Sequence, residues 1–448
     1  MKIPRLALAT AALAASATHA WLPGSGPEKR SIVDVDGFNL FNETHGSGNV
    51  GRRWLSASGK LRGVNLGSLF ISEPWMMPSE WAGMGCEIRD KNSEFDCMSK
   101  LGQSEGDRKF QEHWGNFIQE TDFNDMIDNG LNTVRIPLGY WMMEEIVYWD
   151  SEHFPRGGVE YLKRVCGWAS DRGMYIILEL HGAPGAQKAR EAFTGQLAPT
   201  AGFYQDFQYD RAIKFVAWLR RLIHDTPQMR NVGMIGLVNE NERDNVPDSL
   251  KTYYYPKAHQ AIRDTERSLG ITANNYLHIQ MMNSFWGVSL DVSISSHPQS
   301  RKMCSANLAT TQPANPGQFL SSNYFLAYDD HRYLKWAFPD GSTSDYISIS
   351  CRDNRAAQGE SDTIVGEWSI SAPDAKENDG EWAKSNTAFY KKWFAAQVIA
   401  YEKHTLGWVF WSWKKEGDYR WSYKDALREG IIPRDLNSIA NSGACNGV

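Results

Sequence analysis

Short apolar runs recur along this chain and alternate with longer stretches in which apolar residues return at helical spacing. The runs occupy residues 61–67, 131–137, 174–181, 232–240, 276–281, 324–331, 363–367 and 406–411. The run at 232–240 and others like it are apolar with little alternation, the pattern of strands buried on both faces. Between them, Ile213, Phe215, Val216, Leu219 and Leu222 fall near one face of a helix predicted over 209–225, and a second amphipathic stretch covers 386–403. Eight buried strands alternating with helices predict an α/β fold, a single (β/α)8 TIM barrel with elaborated βα loops. A doubly wound open sheet is the alternative, but it calls for a glycine-rich phosphate turn, and no GxGxxG follows the first run.

Two of the runs finish on a carboxylate. One ends at Asn239-Glu240 and the other at Gly366-Glu367. An acid directly after a buried apolar run is an unusual place for a surface carboxylate. The C-terminal strand ends are also where a barrel assembles its site, and two carboxylates there match the acid and the nucleophile of glycoside hydrolysis. Arg135 lies inside a Val-Arg-Ile run and is expensive to bury unpaired, so Glu367 is its expected partner, with a purely structural ion pair as the competing reading. That pairing should lower the pKa of Glu367, whose charge in turn should raise that of Glu240. Tyr333 is a second expected partner of Glu367, with core packing as its bland reading. His181 and His331 stand at predicted strand ends. Trp411 and Trp413 close the last run, and because they share a face, periodicity does not choose which one lies beneath a sugar. Glu73, Trp75 and Trp286 are further candidates for substrate contact.

Composition narrows the ligand class. The 448 residues carry a net charge of −6 with no basic cluster, which argues against nucleic acid and favours an uncharged substrate. The 18 Trp, 18 Tyr and 19 Phe include more flat rings than a site needs, but rings of that kind suit the faces of a pyranose. Residues 1–20 read as a secretory leader, with Lys2 and Arg5 ahead of a short apolar stretch and a small-residue end. Residues 21–55 then form an N-terminal segment with a dibasic site at Lys29-Arg30, and 56–448 the barrel. No later run is long enough to span a bilayer, so a secreted, extracellular monomer with no membrane partner is expected. In that setting the six cysteines point to disulfides, Cys86 with Cys97 first, and the lack of any CxxC spacing gives a zinc site little support. Asn42-Glu-Thr44 is a glycosylation acceptor. No metal or organic cofactor is expected, and no GxSxG elbow supports a serine hydrolase.

Taken together, Arg62-Gly-Val-Asn-Leu-Gly67, Glu73-Pro74, Arg135-Ile-Pro137, Leu180-His-Gly-Ala-Pro-Gly185, Asn239-Glu240, His331-Arg-Tyr333, Gly366-Glu-Trp368 and Trp408-Val-Phe-Trp411-Ser-Trp413 resemble glycoside hydrolase family 5, in the family's order and over nearly all of the chain after the leader. The resemblance implies a retaining glycosidase with Glu240 as acid/base and Glu367 as nucleophile, their carboxyls roughly 5–5.5 Å apart. It also implies that His181 and His331 donate to sugar hydroxyls, and that Asn239 bonds the 2-hydroxyl. The family commonly follows Asn-Glu with Pro, whereas Asn241 stands here, a departure that bears on backbone geometry more than chemistry. The sequence is most similar to the secreted fungal β-glucanase branch, and within it to endo-β-1,6-glucanases. That likeness implies internal cleavage of β-1,6-glucan from fungal cell wall, in a cleft walled by the insertions at 75–120 and 183–208. An exo-β-1,3-glucanase is the alternative, and an inactive carbohydrate-binding barrel a remoter one that the presence of both glutamates disfavours.

Overall fold

A computed structural model describes residues 59–87, 92–242, 246–282, 316–322, 324–354 and 362–448. In it β1 (Leu61–Asn65), β2 (Thr133–Gly139), β3 (Tyr175–Gly182), β4 (Val232–Gly236), β5 (His278–Met282), β6 (Leu326–Arg332), β7 (Asp362–Trp368) and β8 (Gly407–Phe410) form one closed barrel. All neighbours are parallel, and β8 returns to pair with β1. The leader, the segment at 21–55, Lys29-Arg30, Asn42, Trp286 and Cys304 lie outside the described residues.

Alternation along each strand sorts the side chains into two environments. Tyr175, Ile177, Met234, Ala327, Ile364 and Val409 pack together in the barrel interior. Val134, Ile136, Ile176 and Leu178 face the other way, into the layer shared with the helices. The helix Asp206–Asp225 begins three residues before the predicted start and buries Ala212, Phe215, Val216 and Leu219 against that layer. Thr387–His404 does the same with Tyr390, Trp393, Phe394 and Val398. None of the helices among the described residues is long and apolar enough to cross a membrane.

Two expectations change. The fourth strand stops at Gly236, four residues short of Glu240. Leu237 and Asn239 still donate backbone N–H groups to Gln280 and Leu180 on either side, so the chain stays between its neighbours while leaving the ladder. The insertion at 75–120 is mainly packing rather than wall. Its helices Pro78–Gly83, Glu94–Leu101 and Gln103–Asn116 bury Trp81, Met98, Phe110 and Trp114 in the outer layer, because their apolar faces have nothing else to cover. A Cys86–Cys97 disulfide ties the turn after the first of these helices to the second, and Cys351–Cys445 fastens the C-terminal segment to the helix Thr343–Arg352. Cys166 is a buried free thiol.

Candidate active site

Polar side chains take over the barrel interior towards its C-terminal end. Glu179 and His181 on β3 and Asp329 and His331 on β6 continue the inward faces begun by Ile177 and Ala327. Close approach of two strands makes room for them. A Cβ at Gly236 would sit 2.6 Å from Cγ of Glu179, and one at Gly366 would sit 1.9 Å from Oδ1 of Asp329. The register between β6 and β7 also slips between Asp330 and His331, which brings Glu367 opposite His331.

Arg135, with no exposed surface, is the centre of this layer. Its Nη1 donates to Oε1 of Glu367 at 2.8 Å and to Oδ1 of Asn65 at 2.9 Å, and Nη2 donates to Oδ1 of Asn239 at 3.0 Å. Glu179 and Asp329 each place an oxygen 3.4 Å from Nη2. Burial works against the cation, but Glu179, Asp329 and Glu367 outweigh it and hold Arg135 above its usual range. Since a guanidinium only donates, the Asn239 oxygen must face it, and the Asn239 amide then points towards His181 Nε2 at 3.5 Å. Asn65 braces the arrangement by donating to the Gly366 carbonyl at 2.9 Å.

Above Arg135, Glu240, His331 and Glu367 converge so that one donor atom from each lies within 4.8 Å of the others. Tyr333 donates its hydroxyl to Oε2 of Glu367 at 2.9 Å. His331 Nδ1 is 2.8 Å from Oε1 of Glu240 and 3.5 Å from Oε2 of Glu367, with Nε2 3.5 Å from Asp329. This histidine reverses the expected order of protonation. Burial lowers its pKa, yet Glu367, Asp329 and Glu240 prevail and lift it to about 10. Burial pushes the Glu240 carboxyl up, but the His331 hydrogen bond and charge, with Lys188 and His181, bring it down to about 2. Glu367 is shifted upward, because burial there prevails over His331 and Arg135. Glu240 also has a φ of 31°, a left-handed conformation that a following proline disfavours and that Asn241 allows.

A cavity of about 760 Å³ opens onto this layer. Among the sequence candidates, Glu73, Trp75, His181, Asn239, Glu240, His331, Tyr333, Glu367 and Trp411 line it, and Arg135 lies beneath. Trp411 stacks on His181, 5.5 Å between centroids and 9° from parallel. Trp413 does not reach the cavity: its indole N–H donates to Asp122 at 3.0 Å, and its ring packs on Tyr423 in the core. Trp75 donates to Glu73 at 2.9 Å, and burial lifts the Glu73 carboxyl to about 7. Sequence reasoning missed Glu179 and Asp329, although each stands two positions before a candidate histidine on the same strand. It also missed Lys188, Glu191 and Phe193 on the loop after β3, and Trp336 and Trp421, which pack with Trp75 and Tyr333 in edge-on and tilted contacts. Those loop residues carry no local pattern that marks them.

Residues 98–417 match the family described as Cellulase (glycosyl hydrolase family 5). The chain is 52% identical over 433 residues to Glucan endo-1,6-beta-glucosidase B of Emericella nidulans, covering 95% of this chain and 96% of that one. It is 49% identical over 446 residues to Probable glucan endo-1,6-beta-glucosidase B of Neosartorya fischeri, covering 99% and 100%. The fold is shared with the crystal structure of rutinosidase from Aspergillus niger, with a TM-score of 0.62 at 18% identity over 84% of this chain and 98% of that one. A parallel eight-stranded barrel with an arginine-held glutamate at the end of β7 and a second glutamate after β4, matched by this family over most of its length, makes the chain a member of glycoside hydrolase family 5.

Proposed function

We propose that the chain is a secreted retaining β-glucanase that cuts β-1,6-glucan internally, with Glu240 as acid/base and Glu367 as nucleophile. The observation that carries the mechanism is the approach of Glu240 and Glu367 to within 4.8 Å, oxygen to oxygen, since an inverting pair stands roughly 6.5–9.5 Å apart to admit a water. Glu367 attacks the anomeric carbon while Glu240 protonates the departing glycosidic oxygen, which leaves with the bonding pair. A covalent glycosyl–enzyme results. In the second step Glu240 takes a proton from water, the water oxygen attacks the anomeric carbon, and the bond to Glu367 breaks to return its carboxylate, so the anomeric carbon has been inverted twice and its configuration is retained. The first step needs a protonated Glu240, and the 2.8 Å contact with His331 is the path by which the shared proton reaches it. Arg135 and Tyr333 orient Glu367, the Asn239 amide meets the 2-hydroxyl, and Trp411 is the floor beneath the reacting sugar.

Likeness over nearly the whole chain to two proteins named as endo-1,6-beta-glucosidases supports the linkage. Residues 1–20 act as the leader and the enzyme works on fungal cell-wall glucan outside the cell. The deciding experiment incubates purified protein separately with linear β-1,6-glucan and with β-1,3-glucan and follows early products by chromatography. Short β-1,6-linked oligosaccharides from the first polymer alone are expected. Glucose released only from the β-1,3 polymer would instead identify an exo-β-1,3-glucanase.

A further inference from the structure

The proposed roles of the two glutamates give the cleft a direction. An acid stands beside the oxygen it protonates, so the departing sugar lies on the Glu240 side, while the sugar under attack lies over Glu367. Lys188 is on the departing side, with Nζ 3.6 Å from Oε2 of Glu240, the oxygen opposite the one that His331 holds. Its side chain is 24% exposed, and it lines the cavity together with Phe193, whose ring centre is 5.6 Å from Nζ.

The loop after β3 fixes Lys188 from both neighbours. Gln187 donates to the His181 carbonyl at 2.6 Å, accepts from Ala183 N at 3.1 Å, and its own carbonyl accepts from the Tyr204 hydroxyl at 2.8 Å. On the other side, Ala189 N donates to Oε1 of Glu242 at 3.2 Å, and Glu242 N donates to the Tyr204 hydroxyl at 2.8 Å. Residue 188 is thereby tied to the end of β3 and to a point two residues past Glu240. Because Lys188 lines the cavity within 3.6 Å of Glu240, a sugar hydroxyl arriving beside that carboxyl comes within reach of an ammonium, a group that only donates.

We propose that Lys188 is a specificity-determining residue for the leaving group, its ammonium donating to hydroxyls of the sugar that departs over Glu240, with Phe193 beside it as an apolar wall. This rests on Glu240 being the acid/base. The test measures kcat/KM on three substrates with the same β-1,6-linked glucosyl part: an oligosaccharide whose leaving group is glucose, a methyl β-glycoside, and a dinitrophenyl β-glycoside. The first two need protonation, and only the first presents sugar hydroxyls. Lys188→Met should lower the oligosaccharide value roughly ten- to a hundredfold, the size of one hydrogen bond to a charged group, and the other two by less than about threefold. Lys188→Arg should recover part of the loss.

Equal losses on the oligosaccharide and the methyl glycoside, with the dinitrophenyl glycoside spared, would mean that Lys188 acts only through the protonation of Glu240, and the proposal falls. Losses on all three, or on none, also overturn it. Lys188→Gln gives the same readings should the methionine variant fail to fold. Glu240→Gln on the same substrates tests the underlying reading separately: equal losses on all three would remove the acid role from Glu240. Were the wild type to cleave β-1,3 linkages instead, the corresponding β-1,3 series would carry the same comparison.

Discussion

At Arg135 a guanidinium without solvent contact meets three carboxylates and two amides, and the balance among them sets the charge of the whole site. Three acidic groups, Glu367, Asp329 and Glu240, face His331, and together they outweigh the cost of burying its charge, which is why it is driven to keep a proton. The side chain of Glu240 is 14% exposed against 6% for Glu367, so the proposed acid is the group nearer the mouth, where a leaving oxygen would arrive. Glu240→Gln should therefore lower kcat/KM by roughly a hundredfold or more on glycosides with a sugar leaving group, and far less on activated aryl glycosides, which leave unprotonated. Steady-state kinetics on both substrates checks it.

At the scale of elements, strands with a two-residue period carry the site, and glycines let them pack around it. Gly366→Ala would push its methyl group into Asp329, and we expect it to cost at least about 1–3 kcal/mol and most of the activity. Gly83→Ala, at the end of an outer helix with nothing within 4 Å of the added carbon, should change stability by less than about 1 kcal/mol and leave activity intact. Urea unfolding and activity on the two variants separate crowding from a general effect of losing glycine. A second element-scale case is Glu94, fully buried at the start of the helix Glu94–Leu101, where burial lifts its carboxyl to about 8 against the pull of the Ser72 N–H. The folded state binds this proton more tightly than the unfolded chain, whose carboxyl titrates near 4.5. The stability it confers is thus complete below about pH 4.5 and is lost as pH rises through about 8. Glu94→Gln should gain roughly 2–4 kcal/mol on the wild type between pH 5 and pH 9, read from unfolding midpoints at the two values.

Over the whole molecule, the barrel closes between β1 and β8, and the chain beyond β8 has to be fastened back onto it. Cys351–Cys445 does so across 94 residues, whereas Cys86–Cys97 spans 11. In the chain-entropy account the longer loop constrains the unfolded state more, about 4.7 against about 3 kcal/mol. Replacing Cys351 and Cys445 with alanine should lower Tm more than replacing Cys86 and Cys97. Scanning calorimetry of the two double variants decides it, and an equal or reversed order would show that native-state packing outweighs loop length.

The sequence by itself determined the barrel, because a strand buried on both faces must be apolar along its length and the eight such runs stand in order with helical stretches between. It also marked Glu240, Glu367 and Arg135, since charge placed inside or just after such a run is too costly to be incidental. Glu179 and Asp329 were equally legible by alternation. What the tertiary structure decided is how groups far apart in sequence share charge and space. No local pattern shows that His331 reaches Glu240 and draws its pKa down, or that Trp411 faces the cavity while Trp413 turns to Asp122. Nor does any show that the insertion at 75–120 folds away while the loop after β3 brings Lys188 to the rim. Strand identity depends on neighbours one and two residues away. The site depends on which strand ends the closed barrel sets side by side, and that is fixed only when all eight have paired.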